Sequence, residues 1–221
     1  MGTMVSLLAA TLLAAAPPAT APRVVEEVVA VVRNPPGAPP RLITLTKLEE
    51  EARVALVSRG AAAAATQPLD AEALRAALDW LLDQMLLSDD AARLGLDQIE
   101  REAVEAAAAR FRAQLGSAEA YARFLAASEL TDEELLATLA RMVRVERYVQ
   151  SRVGRGARVG DEEIDRWLAA NGAAEAPAPA RAAARAQLEE ERARAEVHEL
   201  VAELRGRADV RVLDSLRKEG P

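Results

Sequence analysis

Three short β-branched runs stand at the two ends of an otherwise helix-forming chain, and their placement constrains the fold more than any other feature. Val24 to Val32 (VVEEVVAVV) and Arg41 to Thr46 (RLITLT) lie near the start, and Asp209 to Leu213 (DVRVL) lies near the end. Each reads as a strand. A lone hairpin is marginal in water and three strands are about the smallest stable sheet. The last strand is therefore expected to return to the first two, closing one domain with its termini side by side. The four prolines of RNPPGAPPR, between the first two strands, exclude helix and ladder pairing, so a hairpin with a stiff loop is expected there. An Ala/Leu/Glu/Arg-rich chain of 221 residues with six aromatics points to a mainly α fold with a thin core.

Local signals set out the helices. Thr46 and Glu49 fit a capping box, predicting a helix to about Ser58. An Ala-rich stretch from Gly60 to Gln67 follows. Asp70 caps a helix to about Leu94 whose apolar face carries Leu74, Leu78, Leu81, Leu82, Met85 and Leu86, with Gly95 as its stop. Asp97 and Glu100 open a helix to Leu115, ended by Gly116. Ser117 caps a short helix carrying Tyr121, Phe124 and Leu125, and Thr131 with Glu134 boxes a long one to about Val153 with Leu135, Leu139, Met142, Val143 and Val149 inward. Asp161 starts a helix with Ile164, Trp167 and Leu168, closed by Asn171 and Gly172. Ala180 to Arg207 reads as the last helix, with Val197, Leu200, Val201 and Leu204 as its stripe.

The run Val5 to Ala16 is too short to span a bilayer as a helix and suits a signal h-region, so residues 1–21 are expected to be a signal peptide. The net charge of −7 disfavours a phosphate-backbone partner, and the lack of cysteine removes disulfides, thiol catalysis and zinc–cysteine sites. No cofactor or metal is expected.

Little material remains for catalysis. His198, the single histidine, has Arg194, Ala195, Val201 and Ala202 three and four positions away, none a carboxylate, and reads as a solvated helical residue. The acidic clusters at residues 49–51, 89–90, 132–134, 161–163 and 189–191 read as first-turn and solvated-face charge. Arg141, Arg144 and Arg147 read as a solvated face, and Arg152 as a complement to the helix C-terminus. No phosphate loop, nucleophile elbow, H-E-x-x-H or dinucleotide fingerprint occurs. What is left is an adaptable apolar surface. Met85, Phe111, Tyr121, Phe124, Leu125, Met142 and Tyr148 mix thioethers with aromatic rings and are the candidate client-binding residues, against the alternative that they fill the core.

Several segments together resemble the SurA-type periplasmic chaperones. They are VVEEVVAVV with RLITLTKLEEE, LLDQMLLSDDAARLGLDQIEREAV, FRAQLGSAEAYARFLAASELTDEELLATLARMVRVERYVQSRV, RVGDEEIDRWLAAN and LEEERARAEVHELVAELRGRADVRVLD. The likeness spans residues 24–213 and rests on their order and spacing. It implies a SurA N-terminal-like helical domain with its chaperone core at 22–171, completed by a returning helix and strand at 181–213 and followed by a tail at 214–221. Such proteins often carry a parvulin-type prolyl isomerase domain before the returning helix. Here only the linker 172–180 stands there, too short for a domain of about fifty residues, so isomerase activity is not carried over. The family hairpin is usually tight, whereas this one is Pro-rich.

The implied function is an ATP-independent periplasmic holdase for unfolded outer-membrane or secreted proteins, a chaperone and not an enzyme. Its partners would be unfolded polypeptides, outer-membrane β-barrel precursors above all, with a separate isomerase as a further possible partner. A non-catalytic adaptor docking on one folded partner, and an isomerase lacking its usual domain, are the alternatives.

Overall fold

A computed structural model describes residues 26–153, 158–173 and 176–213. The expected signal peptide and the tail from residue 214 lie outside the described residues. The molecule is mainly α, with one three-stranded antiparallel sheet. Strands β1 (Val28–Arg33) and β2 (Arg41–Thr44) form the hairpin, and β3 (Asp209–Val212) pairs with β1 on its other side, giving the order β2-β1-β3. The register sets Val31 opposite Leu42 and Arg211, and Ala30 opposite Val212. The register shifts between Val28 and Ala30, and both Val29 and Ala30 are buried there, as expected where a bulge interrupts strict alternation. The Pro-rich loop is tied down: Asn34 Nδ2 donates to Asp89 Oδ2 at 2.8 Å, and the Arg41 guanidinium forks onto the same carboxylate.

Helix α1 (Leu45–Ser58) follows β2 directly. Its N-cap is Thr44, whose hydroxyl accepts from Lys47 N, and not the expected Thr46. The chain turns early because Leu45 N is held by Glu27 O at 2.8 Å beside the sheet. A 3-10 turn (Ala62–Ala65), pinned where Arg53 donates to Ala64 O and Gln67 O, leads to α2 (Ala71–Arg93), capped by Asp70. At the end of α2, Gly95 takes φ +68° while Gly95 N and Leu96 N bond back to Ala92 O and Ala91 O, the paired bonds of a Schellman stop.

Helix α3 (Arg101–Leu115) starts three residues later than an Asp97 cap would place it, with Glu100 at the N-cap position. Tertiary contacts hold the preceding segment out of the helix: Arg144 Nε donates to Asp97 O at 2.9 Å and Ile99 packs on the core. Helix α4 (Ala118–Ala127) is capped by Ser117, and α5 (Asp132–Val153) opens on the reciprocal Thr131/Glu134 box. Helix α6 (Asp161–Ala170) is followed by α7 (Ala178–Arg207), so the linker is shorter than expected because Pro177 and the prolines' fixed φ suit a helix start.

The inner face of the sheet packs Val29, Val32 and Ile43 on Leu48 of α1 and Leu74, Leu78, Leu81 and Leu82 of α2. A second cluster joins α1, α3, α4 and α5 around Phe111 and Phe124, whose rings meet edge to face at 5.2 Å. A third joins α2 and α5 to Leu200 and Leu204 of α7, and a fourth joins α6 to Ala184 and Leu188 near the start of α7. Helix α7, about 45 Å long, thus touches two separate bodies of core.

Candidate functional site

Between those two attachments α7 stands away from α5, and an open apolar groove runs there. It has two lobes of about 640 and 540 Å3 that share Val149, Gln150 and Val197. The first lies between α5 and α7, walled by Val149, Val153, Ala193, Val197 and Val201, with Asp83, Glu190, Arg194 and His198 at its rim. The second runs over α2 and α3, walled by Trp80, Leu139, Met142, Val143 and Phe111, with Ser58, Arg59, Gln84, Arg110 and Glu146 around it. From Leu139 to Val153 the α5 wall is about 21 Å long, enough for some six residues of extended chain.

The groove takes few of the seven candidate residues. Met142 lines it half-buried, and Phe111 forms a wall at 1% exposed. Phe124 and Tyr148 are also 1% exposed and offer no binding surface. Phe111, Phe124 and Tyr148 are core residues because the Ala-rich helices leave gaps that only large rings fill. Tyr121 and Leu125 lie half-buried on α4 against the same core, with the Arg112 guanidinium 5.1 Å from the Tyr121 ring. Met85 is remote from them, in a separate cavity of about 270 Å3 beside β2. The groove residues missed by the sequence reading, Val149, Val197 and Val201 above all, belong to the recognised α5 and α7 faces, but only the helix packing shows which part stays uncovered.

Two carboxylates read as surface charge are interior. Glu51, 1% exposed, lies against Arg141 and takes the Thr138 hydroxyl at 3.3 Å and Lys47 Nζ at 3.5 Å. Asp90, 5% exposed, accepts from the Tyr148 hydroxyl and from Arg93 Nε at 3.0 Å. Burial works to raise the Asp90 pKa, but the Tyr148 hydroxyl and Arg93 outweigh it and hold the carboxyl below its usual range. Burial, then the Asp90 hydrogen bond and charge, push the Tyr148 phenol up to about 12. Arg141, Arg144 and Arg147 are not a solvated face either: they hold Glu51, the Asp97 carbonyl and Glu100. Asp161, Asp165 and Glu163 of α6 pair with Arg185, Arg181 and Arg192 of α7, fixing that helix hairpin. His198 is exposed at the groove rim.

Among the described residues no group of three or more His, Asp or Glu is placed to hold a metal ion, and no helix is long and apolar enough to cross a membrane. Comparison with known proteins finds no match, whether to a family model, a curated protein or a solved structure.

Proposed function

We propose that this chain is an exported, SurA-type holdase that shields apolar segments of unfolded outer-membrane or secreted proteins in the periplasm, without nucleotide and without bond chemistry. The observation that carries the reading is the groove itself: an open, largely aliphatic trough bordered by charged residues on rigid helices. Such a surface can cover apolar segments of varied sequence, because valine, methionine and alanine walls make no directional demand. The resemblance of residues 24–213 to SurA-type chaperones supports the same reading.

The test is light scattering of an unfolded outer-membrane β-barrel protein diluted from urea, with the chain and with its Val197→Asp variant, which places a charge between the two lobes. Near-stoichiometric suppression by the chain, unaffected by ATP and lost in a folded Val197→Asp variant, is expected. Unchanged scattering with a folded chain would sink the proposal and favour the adaptor.

A further inference from the structure

The charges around the groove are not equivalent. At the α5/α7 lobe they are satisfied within the protein: Asp83 takes Arg205 Nε at 2.6 Å, and Glu190 pairs with Arg194. At the other lobe Arg59 and Arg110 are exposed and make no ion pair among the described residues. They come from the end of α1 and from α3, so one wall of this lobe carries two free guanidinium groups. The only acid lining that lobe, Glu146 on α5, accepts from Gln150 Nε2 at 3.3 Å and leaves the pair in excess. On a chain of net charge −7, in which most arginines of the described residues have carboxylate partners, two free ones at the mouth of an apolar trough form a distinct local field. Arg59 is also held in place, its guanidinium 5.5 Å from the Trp80 ring centre, which leaves its N–H fork free to meet a carboxylate.

We propose, building on the holdase reading, that the groove selects client segments in which a short apolar stretch is flanked by aspartate or glutamate side chains, whose carboxylates bind Arg59 and Arg110.

Fluorescence anisotropy on the full chain tests this with three labelled peptides, acetylated and amidated so that side chains supply the only carboxylates. Each carries the same six-residue apolar stretch, flanked on one side by Asp-Asp, Ser-Ser or Lys-Lys. At low salt the Asp-Asp peptide is expected to bind about tenfold more tightly than the Lys-Lys peptide, since two ion pairs are exchanged for repulsion. The ratio should collapse toward one in 0.5 M salt and reverse in the Arg59→Glu/Arg110→Glu variant, whose two sites are exposed. Equal binding of all three peptides by the unaltered chain would overturn the acid preference and leave the groove reading standing. Failure of all three to bind would overturn both.

Discussion

Replacing Tyr148 by phenylalanine tests the interior of this protein with almost no change of shape. The hydroxyl removed is buried and donates to Asp90, a carboxylate that is itself interior. A hydrogen bond to a charged group contributes about 1.5–3 kcal/mol, and the void left is only hydroxyl-sized, so a loss of about 2 kcal/mol is expected. With a urea m-value of about 2 kcal/mol/M, the unfolding midpoint should fall by about 1 M. The pH dependence separates this bond from generic damage. A phenol held near 12 in the folded state and near 10 in the unfolded chain keeps its proton only when folded between those values. Its stabilising contribution is therefore complete below pH 10 and lost as pH rises to 12, about 2–3 kcal/mol in all. Tyr148→Phe has no such proton, so the gap between the two proteins should close over that interval. At the acid end the sign is opposite. Asp90 is held low when folded, so its contribution is present above the usual carboxylate range and fades as pH falls through its folded value. Without the hydroxyl that fade should begin at a higher pH. Urea midpoints that coincide at pH 7, or a gap that stays constant from pH 7 to pH 12, would refute the reasoning.

Two further outcomes follow from the geometry. Arg141→Met leaves Glu51 buried with Lys47 as its one remaining cation and should cost about 3 kcal/mol, whereas Glu51→Gln keeps the Thr138 contact and should cost less; urea unfolding of both variants checks the order. Trp80 lines the groove while Trp167 packs between α6 and α7, so in a Trp167→Phe background an apolar peptide should shift Trp80 emission to the blue, and an unmoved spectrum at saturating peptide would place binding elsewhere.

The local parts of the fold are legible in the sequence because caps are decided within a few residues. Asp70, Ser117 and Thr131 with Glu134 act as expected, and Gly116 ends α3 with φ +82°, a conformation that favours glycine. The return of the last strand to the hairpin is legible as well, since two strands are too small a sheet to stand alone. Errors arise where a distant contact competes. Glu27 O captures Leu45 N and moves the α1 cap to Thr44; Arg144 captures the Asp97 carbonyl and delays α3. The burial of the two carboxylates is written in their spacing. Glu51 follows Leu48 by three residues, and Asp90 follows Leu82 and Leu86 at steps of four, so both lie on apolar stripes and not on outer faces.

The groove had no such signal, and the reason is geometric. The apolar faces of α5 and α7 can be read from spacing, but spacing cannot say which part of a face its neighbour covers. Helix α7 is attached through Leu200 and Leu204 to α2 and α5, and through Ala184 and Leu188 to α6. The helix between Leu188 and Leu200 is about 18 Å long and has no intervening break. A rod fixed at two places cannot also collapse onto Val149 and Val153, so Ala193 and Val197 stay apart from α5. The aromatic and methionine residues were the natural choice for a binding surface, yet a thin Ala-rich core consumes its largest rings. That leaves much of the trough between α5 and α7 to valines. In this fold the binding surface is therefore a consequence of how α6 holds α7, and the three α6–α7 ion pairs bear on the site although none of them lines it.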